Sequence, residues 1–296
     1  VSEGNPILDL ISGNVNDHGI VFPKLLLNEI LEEAREQATI YKPNPLGQLS
    51  ARNAIAEHNS TNITPDCILL TPGTSISYWY CFTLLCESGD EILCPTPSYP
   101  LFDYIADISK VTIKHYKLIE DQQWMIDLEH LEDQITPKTR GIVTISPHNP
   151  TGVAIDSQQA NDLATIAKRY ALPIITDEVF REFLFEGENV SLNDRGIPLL
   201  ITLNGLAKMF ALPSLKIGWM AIEGQSDLVH KTIATLELIS DAFLPVNEVA
   251  QFTVPLVFKK GQEFLKEYRQ HIWNRRNTAL TALEGFDLVK PQGGFY

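Results

Sequence analysis

Between Ile68 and Leu203, one pattern recurs and limits what this chain can fold into. A short, almost wholly apolar run stops abruptly at a polar or glycine-bearing motif, and a segment of helical period follows in most cases. Ile68-Leu69-Leu70 ends in TPGTS and Glu91 to Cys94 in PTPSYP. Gly141 to Ile145 ends in SPHNPTG, Leu172 to Thr176 in DEVF, and Leu199 to Leu203 in NGLAK. Strands apolar on both faces and alternating with helices predict a mostly parallel sheet sandwiched by helices. Crossovers in such sheets are right-handed, and ligands sit beyond the carboxyl ends of the strands. Gly73-Thr74, Tyr99, Asn149, Asp177 and Lys208 each follow a different apolar run, so the topology gathers all five at one sheet edge.

The helical period is clearest over 24–38, where Leu27, Ile30, Leu31 and Ala34 are spaced for one face. Further helices are expected over 50–58, 76–86, 101–109, 127–134, 157–170, 227–240 and 262–284, and a strand over 110–116. The last helix is long enough to bridge two domains. Residues 1–23 hold a short apolar run, then Gly13 and Asn14, then an irregular acidic segment. With 296 residues the chain suits one large domain, or a large and a small one.

Acidic residues outnumber basic ones, 37 to 23, and the net charge of −14 argues against nucleic acid or an anionic membrane as a partner. No apolar run is long enough to cross a bilayer. Cys67, Cys81, Cys86 and Cys94 sit in apolar segments without CxxC spacing, which fits buried free thiols and a cytoplasmic protein. The seven histidines show no metal-ligand spacing. The sequence starts at Val1 and stops at PQGGFY, a turn entering a strand, so it is expected to be a piece of a longer protein.

Each of the five edge motifs has a plain structural reading. Lys208 could be a solvated loop lysine, and Gly73-Thr74-Ser75 an ordinary helix cap. Asp177 could bond to nearby backbone, Asn149-Pro150-Thr151-Gly152 could be only a turn, and Tyr99 could pack in the core. Glu178 is expected to be a structural partner or to face away. Together the five match one ligand. A helix start binds phosphate, and a desolvated amine forms a Schiff base with an aldehyde. A buried carboxylate keeps a pyridine nitrogen protonated, an amide meets a ring oxygen, and a flat ring stacks on another. Pyridoxal 5′-phosphate has all of these features.

The same motifs resemble the class I/II aminotransferases, fold-type I pyridoxal-phosphate enzymes, almost from end to end. Gly47 and Arg52 match the family's early helix. TPGTS, PTPSYP, SPHNPTG, TDEVF and LAKMFALPSLKIGW follow in the family's order. The resemblance implies a cofactor site of Gly73, Thr74, Tyr99, Asn149, Asp177, Lys208 and Lys216. It also implies that Tyr41 reaches a neighbouring subunit's phosphate, and that Gly13 and Asn14 line the substrate side. Lys208 and Asp177 become the catalytic residues. Lys208 would hold the cofactor as a Schiff base and move the substrate's proton, so that an amino group passes from an amino acid to a 2-oxo acid. The implied assembly is a homodimer. The implied domains are a small-domain segment over 1–24, a large cofactor-binding domain over 25–260, and an incomplete small domain over 261–296. The arginine that grips the substrate carboxylate would lie beyond Tyr296.

Some positions depart from the family pattern. Gly205 and Ala207 stand where serine or threonine is usual, and Lys216 where arginine is usual, without the bidentate fork. Phe180 replaces a tyrosine that bonds the cofactor's ring oxygen, and the loop from Tyr41 to Gly47 is one residue longer. A carbon–sulfur β-lyase on the same fold, or a non-catalytic cofactor- or ligand-sensing domain, stay open as alternatives.

Overall fold

A computed structural model of the chain describes residues 13–59, 63–188 and 190–295. The short apolar run near the start and the final Tyr296 lie outside the described residues. The strands are β1 (Ile68–Thr71), β2 (Glu91–Thr96), β3 (Thr112–Ile119), β4 (Met125–Ile126), β5 (Thr139–Ile145), β6 (Ile174–Asp177), β7 (Leu199–Gly205) and β8 (Gly218–Gly224). The helices are α1 (Lys24–Gln37), α2 (Leu49–Asn59), α3 (Thr74–Leu85), α4 (Leu101–Ser109) and α5 (Leu128–Asp133), then α6 (Ser157–Tyr170), α7 (Leu206–Met209), α8 (Ser226–Asp241), α9 (Glu248–Lys260) and α10 (Gln262–Ala282).

The strands form one sheet in the order β1-β8-β7-β6-β5-β2-β3-β4. Its middle, β7-β6-β5-β2-β3, is parallel, as the apolar runs predict. The ends are not. β8 runs antiparallel to both β7 and β1, and β4 antiparallel to β3. Two reversals restore direction, so β1 still points the same way as β7. The motif after β1 therefore reaches the same edge as the motifs after β2, β5, β6 and β7. Because β8 runs the other way, its first residues also lie at that edge.

Alternation along each strand separates two cores. Ile92, Val143, Ile145, Ile175, Ile201 and Leu203 face one side, under α3, α4 and α8. On the other side, Leu93, Ile142, Ile174 and Leu200 pack with α6, while Ile68, Leu70 and Trp219 pack with α2 and α9. Each of these fully buried side chains contributes about 1.5–3 kcal/mol through removal of apolar surface from water.

Local chemistry sets the helix limits. The Asp156 carboxylate accepts from the Gln159 N–H at 2.7 Å to start α6, and Asp127 does the same for His130 at 2.9 Å in α5. The sequence pattern assigns no element to 248–260, a stretch that contains Pro255, which lacks the N–H that a helix interior uses. The structure has α9 there. Asn247 caps it, and Val254, Val257 and Phe258 are buried in the core shared with α1 and α2. Tertiary burial outweighs the proline.

Candidate active site

Asp177 ends β6 beside Ile145 of β5 and Leu203 of β7. The two-residue period puts it on the same face as Ile175, towards α3, and sends Glu178 the other way. Glu178 is buried and paired with Arg181 at 3.0 Å, a structural role. Asp177 Oδ1 accepts from the Val179 N–H at 3.0 Å, and Oδ2 accepts from the Tyr78 hydroxyl at 2.9 Å. Burial pushes the Asp177 carboxyl up to about 6, against the pull of those two donors and of Lys208.

Lys208 lies in α7, immediately after β7. It is half-buried, and desolvation lowers its pKa while the Asp177 charge opposes the shift. Its Nζ donates to the Gly13 carbonyl at 3.5 Å and lies 5.9 Å and 5.7 Å from the ring centroids of Phe180 and Phe295. The two rings meet edge to face at 4.8 Å, so the amine is bordered by a carbonyl and two aromatic rings. The segment carrying Phe295 is held by the SPHNPTG loop. The Gln292 and Gly293 N–H groups donate to the Gly152 carbonyl at 2.9 Å, and Gln292 Oε1 accepts from the Ala154 N–H at 2.8 Å.

Lys208 and Asp177 line a single cavity of about 110 Å³. Gly73, Thr74, Tyr99, Asn149, Phe180 and Ala207 complete most of its wall. Five sequence motifs thus meet at one place. Tyr99 is held edge to face by Phe102 at 6.1 Å. Gly73 has φ 114°, and nothing lies within 4 Å of where its Cβ would be, so the start of α3 is open to a ligand. The leading amides of α3 have no intrahelical acceptor, which makes them donors for an anion.

Gly205 is confined instead. A Cβ there would lie 2.8 Å from the Ile217 carbonyl oxygen, which accepts the Leu206 N–H at 3.0 Å. The absence of a side chain at 205 lets β7 and β8 close on each other.

Two predicted residues lie elsewhere. Lys216 is exposed, next to the wall residue Ile217 and not among the residues lining the cavity. Tyr41 is 73% exposed and lines a separate cavity with Gly47, Leu70 and Leu244. Gly13 reaches Lys208 through its carbonyl, whereas Asn14 is exposed and its side chain accepts from the Asn16 N–H at 3.3 Å. The motif reading does not single out Tyr78 or Phe295. Tyr78 is four residues beyond Thr74 and shares its helix face, but buried aromatics on several sides of α3 leave that spacing unmarked.

The family model described as "Aminotransferase class I and II" matches residues 5–296. The glutamate-pyruvate aminotransferase AlaA of Escherichia coli K12 is 31% identical over 99% of this chain and 75% of its own length. The chain belongs to this family. The alanine aminotransferase of Mycobacterium tuberculosis H37Rv is 28% identical over 100% of the chain and 71% of its own length. Among solved structures, an aminotransferase from Escherichia coli superposes with a TM-score of 0.88 at 30% identity, over 98% of this chain and 74% of that one. An alanine aminotransferase from Pyrococcus furiosus gives 0.83 at 28% identity, over 92% and 72%. This aminotransferase therefore acts on amino acids and 2-oxo acids, in a family that works with pyridoxal phosphate.

Proposed function

We propose that this aminotransferase holds pyridoxal 5′-phosphate in the cavity shared by Lys208 and Asp177, and moves an amino group between alanine and glutamate through their 2-oxo acids. The observation that carries the cofactor site is the shared cavity itself, with an amine, a carboxylate, an amide, an aromatic face and an open helix start around it. The choice of substrates is supported by two relatives, a glutamate-pyruvate aminotransferase and an alanine aminotransferase. When bound, the cofactor supplies an electron sink for the charge that develops at the substrate Cα.

The residues divide the remaining work. Lys208 Nζ would hold the cofactor through its aldehyde. Its lowered pKa raises the fraction of neutral amine, which can then take and return a proton at the substrate Cα. The Asp177 carboxylate would accept the ring N–H. The Asn149 amide would donate to the ring oxygen, Tyr99 would cover a ring face, and the Gly73–Thr74 amides would take the phosphate. Phe180 and Phe295 keep water from the amine. Gly13 and Asn14 border the side from which substrate enters.

We further propose a cytoplasmic homodimer in which Lys216 and Tyr41 act at the phosphate end, Tyr41 from the second subunit. Tyr41 is exposed beside Ser240 and Leu244, and the nearby Leu238 and Phe243 are 74% and 72% exposed, an apolar surface of the kind a second copy covers. Four free cysteines suit a reducing compartment. Among the described residues, no helix is long and apolar enough to cross a membrane. The large domain is assigned to 25–260, with small-domain segments on either side.

Incubation with pyridoxal phosphate, borohydride reduction and peptide mapping test the reading. The adduct should lie on Lys208 and be absent from Lys208→Ala. An adduct on another lysine, or an unchanged adduct in the variant, would defeat it. Amino exchange between alanine and 2-oxoglutarate tests the substrate pair.

A further inference from the structure

A phenol deep in α3 holds one end of the cavity. Tyr78 is 2% exposed, and its hydroxyl donates to Asp177 Oδ2 at 2.9 Å while the Val179 N–H donates to Oδ1 at 3.0 Å. Each carboxylate oxygen has two acceptor sites, so one donor on each fixes the carboxylate plane and leaves capacity on both oxygens. Tyr78 is itself fixed by packing. Its ring meets Phe102 edge to face at 4.8 Å, and Phe102 meets Tyr99 at 6.1 Å. One aromatic cluster thereby sets both the carboxylate and the ring that faces the cavity.

Resting on the cofactor reading above, we propose that Tyr78 is a positioning residue: it keeps Asp177 an oriented carboxylate, ready to accept the N–H of the cofactor's pyridine ring. The sequence motifs do not assign Tyr78 this role, and among the described residues its hydroxyl has no bond partner other than Asp177.

Burial and the neighbouring Asp177 charge hold the Tyr78 phenol well above its ordinary pKa of 10.0, so it remains a donor across the working pH range. The groups facing Asp177 are Tyr78 from α3, Lys208 from α7, Tyr99 from the loop after β2, and the adjacent Glu178. Burial raises the carboxyl, and the phenol is one of the groups opposing that rise. Without the hydroxyl, the carboxyl protonates at higher pH and turns more freely.

The test compares two ligands by equilibrium dialysis across pH. One is pyridoxal 5′-phosphate, and the other is its analogue with carbon in place of the ring nitrogen. Tyr78→Phe keeps the ring that packs on Phe102. It should weaken binding of pyridoxal phosphate roughly tenfold at neutral pH, the scale of a lost hydrogen bond to a charged group. It should also move upward the pH at which affinity falls, and leave the analogue's affinity unchanged. In an Asp177→Asn background the same substitution should have no effect. Equal weakening of both ligands would mean a merely structural role and overturn the proposal, as would no change in either. Should Tyr78→Phe not fold, 3-fluorotyrosine placed at position 78 alone gives a stronger donor of nearly the same shape. The affinity inflection should then move to lower pH, and an unmoved inflection contradicts the proposal. If the unsubstituted chain binds neither ligand, the cofactor reading itself fails, which is a separate outcome.

Discussion

The two ends of the cavity are built differently. At the Asp177 end the carboxylate is buried, bonded on both oxygens, and supported by rings packed against the sheet. At the Gly73 end the donors are mainly backbone amides. Ala207 contributes no hydroxyl, Gly205 is pressed against the Ile217 carbonyl, and Lys216 is exposed outside the lining. A fixed carboxylate and a half-buried amine thus face a sparse anion cup. On the proposed cofactor reading, the difference implies that affinity would be concentrated on the ring and its aldehyde, and less on the phosphate. Substitutions at the two ends should separate accordingly.

The largest effect is expected from Lys208→Ala. Loss of the proton carrier should cut amino-transfer rates by about 10²–10⁴-fold, measured in single-turnover assays, with no covalent cofactor left after reduction. Asp177 comes next, through pH. Its carboxyl is raised from an ordinary value of 3.8 to about 6, so the folded chain binds more protons than the unfolded one between those values. Stability of the cofactor-free protein should therefore be greatest below the lower value and fall as pH rises through the window, by about 3 kcal/mol. Urea titrations at pH 4 and pH 7 would show it, and Asp177→Asn should flatten the slope. Cofactor affinity has the opposite sense, since the ring N–H needs the ionised carboxylate, and should be lost as pH falls below about 6.

The sparse end gives smaller effects that differ between neighbouring positions. Gly205→Ser should destabilise the fold by about 1–3 kcal/mol, because its Cβ meets backbone that cannot yield without separating β7 from β8. Ala207→Ser faces the cavity and should tighten pyridoxal-phosphate binding roughly two- to tenfold. If both serines bind cofactor equally well and fold equally well, the contrast between the two ends is wrong. The smallest change is expected from Phe180→Tyr. A phenol donating to the cofactor's ring oxygen should lower the pH at which bound-cofactor absorbance changes, by less than about one unit.

Much of this arrangement was legible in the sequence, for a physical reason. Strands buried on both faces must end where the chain can become polar, so Asp177 and Lys208 stand out at the ends of apolar runs and the parallel core gathers them. The chain reversal at β8 was not legible. The apolar run after Lys216 has the same composition as the parallel strands, and only the short path through α7 brings it back beside β7. Tyr78 was hidden because α3 carries aromatics on several sides, including Tyr80 and Phe82, both buried, so no single stripe marks the face that meets Asp177. Phe295 was hidden for another reason. Its position over Lys208 depends on hydrogen bonds between segments about 140 residues apart, which no local pattern encodes.

The most direct test of the central claim is a crystal structure of the chain soaked with pyridoxal 5′-phosphate. The account predicts density continuous with Lys208 Nζ and a ring nitrogen within hydrogen-bond distance of the Asp177 carboxylate. A ring bound with its nitrogen turned away from Asp177, or a cofactor joined to any other lysine, would contradict it.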